Sequence, residues 1–456
     1  MSAIEFGLIG HPLEHSLSPF LHQELLRAAG LPGEYRLLDL EPDELPDVLP
    51  GLLQSLRGIN CTIPYKETIL PYLSRLDETA ARIGSVNTVS QGVGYNTDYA
   101  AFQKVCPLSP DDRVLLLGAG GVSRTMAFAA VESGARIWIL ARRQEQAQVL
   151  VDDVAAFCEK YHFDGQAACL ASLAEWEAMR HQEGGWVVLN GTPLGMWPKT
   201  GGMPLPAGDL DACRLVFDTI YNPPTTRLVL AARSCGIPAV GGLDMLFHQA
   251  LQAERIWHPD AVFPEKEIAA VQQKLARAIL RQSALTILVT GFMGSGKTTV
   301  GHMLANELDL PFTDLDQVIE QVSGRSIPTI FAEDGEPAFR VLEQQLLQAE
   351  LERPGSRILA CGGGTLLAEE AIERVRRSSA LVLFLDATLD SIRQRVRSGE
   401  GRPMIAKQGQ AHVQALFEQR RPQYLANADL VVTADHEPRE LAMQIASHLG
   451  YGGKTI

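Results

Sequence analysis

The 456-residue sequence contains no basic block, and its formal net charge is −14. A phosphate backbone is held by basic surface, so nucleic acid is a poor candidate for its main partner. No stretch reaches the roughly 18 apolar residues that a membrane span requires. The opening residues, MSAIEFGLIG, pass directly into a strand pattern without a basic leader, so a soluble, cytoplasmic protein with no membrane partner is expected. Seven cysteines, Cys61, Cys106, Cys158, Cys169, Cys213, Cys235 and Cys361, are scattered and form no CxxC pair. That speaks against a zinc cluster or a dithiol couple and fits a reducing compartment. Repeats of solenoid period and low-complexity tracts are also missing. What remains is small-molecule chemistry in a chain about three typical domains long, with 46% apolar residues to fill several cores.

Short runs rich in Val, Ile and Leu alternate with longer segments of helical period. FGLIG, YRLLDL, GINCTIP, RVLLLG, RIWIL, WVVLN, LVFDTI, TILVT, RILACG and LVLFLD are each bounded by Gly, Pro or a charged turn. This alternation predicts an α/β chain of parallel sheets crossed over by helices. A helical segment over 265–284 ends in a polar patch just before LTILVT, which places the main boundary near residue 283.

Two glycine-rich turns stand out. In RVLLLGAGGVSRT a strand runs into Gly118, Gly120 and Gly121, followed by a helical pattern and the strand RIWIL. Such a βαβ unit lets the backbone approach a pyrophosphate at a helix N-terminus. Where an NAD site usually has an acidic residue for the ribose, this chain has Arg142 and Arg143. Two guanidinium groups favour a 2'-phosphate and therefore NADP. The second turn, GFMGSGKTT over 291–299, fills the template G-x-x-x-x-G-K-[ST] with Gly291, Gly296, Lys297 and Thr298. Its amides, including those of Gly294, Ser295 and Thr299, are expected to cradle ATP phosphates. Lys297 would neutralise the β and γ oxygens, and the Thr298 hydroxyl would reach Mg²⁺.

Around the first turn lie GHPLEHSLSPF with Ser16 and Ser18, GINCTIPYKE with Asn60, Thr62 and Lys66, GSVNTVS with Asn87, and GYNTDYAAF with Asp98. With NGTPLGM, DTIYNPPTT and GGLDMLFHQA, these segments resemble shikimate dehydrogenase in order and spacing over nearly all of residues 4–280. The resemblance implies that Ser16 and Ser18 hold the substrate carboxylate, and that Thr62, Asn87, Asp98 and Gln249 bind its ring hydroxyls. It makes Lys66 and Asp98 the catalytic pair, sets Tyr221 near substrate and nicotinamide, and assigns Met196 and Gly242 to the nicotinamide pocket. Reducing a ketone with hydride leaves an alkoxide that needs a proton, which a lysine beside a carboxylate can supply. Two positions depart from the family pattern. Tyr99 replaces a common Gly, with an expected effect on the cleft rim, and ARR replaces NRT at the 2'-phosphate while keeping Arg142 in register.

Downstream of the second turn lie Asp314 and Asp316 in FTDLD, Arg340 and Glu343 in FRVLE, Gly362, Gly363 and Gly364 in CGGGT, Arg402 in GRPMI and Arg420 in RRPQY. Together they resemble shikimate kinase from 285 to about 450. The resemblance implies that Asp314 supports Mg²⁺, usually through water, and that Asp316 binds the acceptor hydroxyls as a general base. Arg340 and Arg420 would clamp the acceptor carboxylate, a planar fork meeting a planar acid, with the three glycines as a close wall. Arg402 would act from a lid over 393–410, and Arg395 would pack on adenine.

The expected organisation is a dehydrogenase substrate domain over 1–105 completed by 243–282, a Rossmann NADP domain over 106–242, and a P-loop kinase domain over 283–456. NADP(H), ATP and Mg²⁺ are the expected cofactors, and 3-dehydroshikimate and shikimate the expected substrates. The alternatives are a broader quinate/shikimate dehydrogenase fused to a kinase, and a ligand-sensing fusion with one inactive half.

Overall fold

The computed structural model describes residues 6–14, 16–181, 184–397 and 410–451. By packing, the chain divides into two compact units. The first comprises Met1–Pro193, Pro204–Tyr221 and Ile237–Ala276, and the second Leu194–Met203, Asn222–Gly236 and Arg277–Ile456.

The first unit holds two six-stranded sheets. One contains β1 (Phe6–Gly10), β2 (Tyr35–Asp39), β3 (Gly58–Cys61), β4 (Arg75–Leu76), β5 (Thr88–Ser90) and β6 (Val93–Tyr95), in the order β2-β1-β3-β5-β6-β4. Strand β1 pairs in parallel with β2 and β3, and β5 turns the sheet antiparallel against both β3 and β6. Helices Ser18–Ala28 and Gly242–Trp257 pack against one another beside it. The later helix therefore returns from residue 242 to finish the layer begun at residue 6.

The other sheet contains β7 (Arg113–Leu117), β8 (Arg136–Leu140), β9 (Gln166–Leu170), β10 (Trp186–Asn190), β11 (Cys213–Asp218) and β12 (Ala239–Val240). Every pairing is parallel, in the order β12-β11-β10-β7-β8-β9. Numbered from β7 this is 3-2-1-4-5-6, the doubly wound order in which successive strands are added on opposite sides from a switch point between the first and fourth strands. A ligand crevice therefore opens where β7 and β10 end. Residues 114–117 and 187–190 are buried throughout, as expected of strands covered on both faces.

The second unit is built on one parallel sheet of β13 (Thr286–Thr290), β14 (Phe312–Asp314), β15 (Arg357–Ala360), β16 (Ala380–Asp386) and β17 (Leu430–Thr433), in the order β14-β15-β13-β16-β17. Its central strand, β13, runs straight into the GFMGSGKTT turn. Helix Arg227–Ser234 belongs to this unit: Leu230 is fully buried in its core with Leu280, Leu430 and Leu449. Arg227 Nε lies 3.0 Å from Asp429 Oδ1. The seven cysteines are all free. Among the described residues no helix is long and apolar enough to cross a membrane, and no three His, Cys, Asp or Glu side chains gather as a metal cluster.

Candidate active sites

A cleft of about 510 Å³ in the first unit is lined by Ser16, Ser18, Thr62, Lys66, Asn87, Asp98, Tyr221, Gly242 and Gln249. These come from sequence positions more than 230 residues apart, and the fold brings them together. Ser16 Oγ donates to Ser18 Oγ at 3.2 Å and accepts from the Ser18 amide at 3.3 Å, at the start of helix Ser18–Ala28. Two hydroxyls at a helix N-terminus suit a carboxylate.

Lys66 sits in the short helix Tyr65–Thr68, fixed by the Tyr65 hydroxyl, which donates to the Leu40 carbonyl. Asp98 is in the first turn of helix Thr97–Val105, whose N-cap Asn96 accepts from the Tyr99 amide at 3.1 Å. Lys66 Nζ donates to Asp98 Oδ2 at 2.6 Å. Burial alone would lower the Lys66 pKa, but attraction and hydrogen bonding by Asp98 outweigh it and raise the ammonium above its ordinary value. The pair therefore keeps its proton at neutral pH. Asn87 Oδ1 accepts from the Thr97 amide at 2.7 Å, and its Nδ2 donates to Thr97 Oγ1 at 2.9 Å, which sets its orientation in the wall. Gly242 opens helix Gly242–Trp257 so close to the Thr219 carbonyl that a Cβ there would collide with backbone.

A second opening of about 500 Å³ lies against Gly120, Gly121 and Arg124 at the β7 turn. Gly118 has φ +96°, a left-handed conformation that favours glycine. A Cβ at Gly120 or Gly121 would meet no protein atom, so their bareness leaves room for a ligand rather than for protein. Arg142 and Arg143 are exposed just after β8 and form no ion pair among the described residues. These features fit the pyrophosphate and the 2'-phosphate of NADP.

Two sequence expectations turn out differently in space, and one pair of residues was not singled out. Met196 does not line the cleft: it is 47% exposed, on a segment that packs with the second unit. Tyr99 does not shape the cleft rim. It is 5% exposed in the core under β7 and β10, where a large ring fills volume that glycine would leave empty. Asn190 and Asp218, passed over in the sequence, form a fully buried clamp: Asn190 Nδ2 donates to Asp218 Oδ1 at 3.0 Å, which also accepts from the Ile220 amide at 3.0 Å. The visible signal was a polar residue ending each of two apolar strands.

In the second unit Gly294 and Gly296 have φ +77° and +96°, and Gly296 caps helix Lys297–Leu308. Lys297 Nζ donates to the carbonyls of Gly291 and Phe292 at 3.0 and 3.1 Å, folding back along the loop. Ser295 is buried, and Thr299 is exposed on the first turn of the helix. Thr298 Oγ1 donates to Asp314 Oδ2 at 2.7 Å, and Asp314 Oδ1 accepts from the Asp316 amide at 3.0 Å, capping helix Leu315–Ser323. Mg²⁺ keeps several waters and takes few protein oxygens. The Thr298–Asp314 pair fits that need.

Gly362, Gly363 and Gly364 form a bare wall after β15. A Cβ on Gly362 would lie 2.9 Å from Asp316 Oδ1, and one on Gly364 would lie 2.6 Å from the Arg340 guanidinium. Arg340 Nη1 donates to Glu343 Oε2 at 2.7 Å, and Thr365 Oγ1 donates to Glu343 Oε1 at 2.7 Å. On the opposite side Arg420 Nη1 reaches the Gly363 carbonyl at 3.5 Å, an acceptor shared with the Tyr424 hydroxyl. Asp316, Arg340 and Arg420 thus converge on one glycine segment. Arg402 and the side chain of Arg395 lie outside the described residues.

Residues 8–89 match the family described as Shikimate dehydrogenase substrate binding domain. The NADP(+)-type shikimate dehydrogenase of Moorella thermoacetica is 38% identical over 262 residues, covering 55% of this chain and 86% of that protein. The chain belongs to the shikimate dehydrogenase family. Shikimate 5-dehydrogenase from Thermus thermophilus, solved with NADP(H) and shikimate, has a TM-score of 0.51 at 31% identity, over 61% of this chain and 100% of that one. The Listeria monocytogenes enzyme, solved with shikimate and NAD, has a TM-score of 0.53 at 29% identity, over 60% of this chain and 96% of that one. Beyond the dehydrogenase half, residues 293–450 match the family described as Shikimate kinase. The chain is a shikimate-pathway fusion of the two.

Proposed function

We propose that the chain reduces 3-dehydroshikimate to shikimate with NADPH and then transfers the γ-phosphoryl group of ATP to the shikimate 3-hydroxyl. The observation that carries the first step is the 2.6 Å Lys66–Asp98 pair inside a cleft that also presents Ser16, Ser18, Asn87 and Gln249. NADPH, held at Gly118, Gly120, Gly121 and Arg142, supplies the hydride. Ser16 and Ser18 take the carboxylate, and Thr62, Asn87 and Gln249 take ring oxygens. Lys66 gives its proton to the ketone oxygen as that oxygen becomes an alkoxide, and Asp98 holds the ammonium in place and aids its reprotonation. Tyr221 closes the nicotinamide side. NADP is preferred because exposed Arg142 and Arg143 replace an acidic ribose partner.

In the second step Arg340 and Arg420 hold the acceptor carboxylate, and Asp316 takes the proton of the attacking hydroxyl. The P–O bond to the departing ADP breaks as the new one forms. Lys297 meets the β and γ oxygens, and Thr298 and Asp314 hold the hydrated Mg²⁺ that offsets phosphate charge. Arg402 and Arg395 complete the ATP side of this reading. The division that goes with it is 1–105 with 243–282 for substrate, 106–242 for NADP and 283–456 for the kinase, although residues 194–203, 222–236 and 277–282 pack within the second unit. Both substrates are small acids, and the reading calls for neither nucleic acid nor membrane; the cytoplasm is the proposed setting. An assay that follows NADPH loss with 3-dehydroshikimate, then ADP release on adding ATP, tests both steps. Absence of either signal in folded protein rejects the corresponding half.

A further inference from the structure

Beneath the dehydrogenase cleft lies a buried polar cluster that none of the roles above uses. Tyr35, the first residue of β2, is 4% exposed and does not line the cleft. Its hydroxyl donates to Asn60 Oδ1 at 2.8 Å and lies beside the Ser18 side chain. Asn60 does line the cleft, and its Nδ2 donates to the Asn87 carbonyl at 3.2 Å and to Thr88 Oγ1 at 3.0 Å. One phenol oxygen thus stands between a serine on the carboxylate side and an amide on the ring-hydroxyl side.

The ring itself is held from behind. His22 stacks on Tyr35 with centroids 4.1 Å apart and planes 5° from parallel. His22 Nδ1 meets Glu254 Oε1 at 2.6 Å, and the other oxygen of that carboxylate lies 3.2 Å from His258 Nδ1. Glu254 is fully buried and its Oε1 meets His22, which ties the stacked imidazole in place behind Tyr35. Trp257 closes the side, its Nε1 donating to the Val89 carbonyl at 3.0 Å. The Tyr35 ring has little room to turn, and its hydroxyl is fixed relative to β1, β3 and helix Ser18–Ala28.

We propose that Tyr35 is a positioning residue for the dehydrogenase reaction, setting Ser18 and Asn60 at one spacing so that shikimate meets a preorganised acid-binding wall. The inference rests on the functional reading above. It acts in binding, because neither Tyr35 nor its partners touches the Lys66–Asp98 proton path. Without the hydroxyl, Asn60 Oδ1 loses its donor and Ser18 its neighbour, and each must be reordered whenever substrate enters.

The test is a double-mutant cycle on the full-length chain with Tyr35→Phe, Asn60→Ala and both together. Expected for Tyr35→Phe is a rise of roughly three- to thirtyfold in KM for shikimate, the loss of one buried hydrogen bond. Its kcat and its KM for NADP should stay within about twofold. The double variant should lose less than the two single variants added together, because part of the Tyr35 effect runs through Asn60. An unchanged shikimate KM in Tyr35→Phe overturns the proposal, as does a rise shared by both substrates, which would mark general loosening of the unit. If Tyr35→Phe does not fold, Asn60→Ala alone must show the selective rise, and an unselective change there counts against the idea. Wild-type protein that does not oxidise shikimate would reject the dehydrogenase reading itself; active wild type with an indifferent Tyr35→Phe rejects only this inference.

Discussion

Lys66 Nζ and Asp98 Oδ2 lie 2.6 Å apart, and burial and attraction act on that lysine in opposite directions. Attraction prevails, so the ammonium stays charged above the ordinary lysine range. The lysine is an acid that gives up its proton only when a more basic oxygen appears, as a ketone oxygen does on taking hydride.

Lys66→Ala should therefore lower dehydrogenase kcat by roughly two to four powers of ten. ATP-dependent phosphorylation by the same preparation should persist. Loss of both activities in folded protein would show that the halves are not independent catalysts.

The pH profile follows from the same opposition. With Asp98 present the lysine pKa is raised, so its deprotonation should limit kcat/KM only above the ordinary lysine value of about 10.4. Asp98→Asn removes the force that raises it and leaves burial, which lowers it. The basic limb should move toward neutral pH in that variant. A limb that stays in place would mean Lys66 is not the titrating group.

Arg142 and Arg143 have no partner of their own among the described side-chain ion pairs, so a 2'-phosphate would be their charge-assisted contact. Arg142→Ala should raise KM for NADPH about tenfold while leaving that for NADH unchanged. Equal loss with both cofactors would assign the arginine a structural role.

Much of this was legible in the sequence because the chemistry sits in contiguous motifs. The strand endings, the two glycine turns and the Lys66 segment each occupy a few adjacent residues, and local spacing carries them. Tyr35 was not legible, because its meaning depends on Asn60, His22 and Glu254, which only the fold brings together. Tyr99 was misjudged because a sequence shows the size of a residue and not the direction it faces. Met196 was misplaced in the same way, and Leu230 drew no reading. Both lie on segments inside the dehydrogenase half of the sequence, yet they pack with the second unit.

That packing carries its own expectation. Leu230 is fully buried among Leu280, Leu430 and Leu449. Leu230→Ala should destabilise the second unit by about 2–5 kcal/mol. Heat inactivation of the phosphorylation activity should shift to lower temperature. A fragment beginning near residue 283 lacks this leucine and should be less heat-stable than the full chain. A fragment of equal stability would show that the helix contributes nothing.

Gly364 offers a test of the kinase site that leaves its charges intact. A Cβ there would stand 2.6 Å from the Arg340 guanidinium, and that arginine cannot simply swing clear because it is bound to Glu343 at 2.7 Å and to Glu336 at 3.1 Å. The backbone at Gly364 is not left-handed, so alanine brings no local strain, and the collision falls on the end of a side chain rather than on the sheet. Gly364→Ala should therefore leave the fold intact and move Arg340 off its two carboxylates. If Arg340 clamps the acceptor acid, KM for shikimate in the phosphorylation should rise about tenfold or more, the loss of one charge-assisted bond. KM for ATP should change little, since Lys297 and Thr298 are untouched, and NADPH-dependent reduction should be normal. A Gly364→Ala protein with ordinary shikimate KM in the kinase assay would mean that Arg340 serves only Glu343 and Glu336, and the acceptor carboxylate would then have to be held by Arg420 without it.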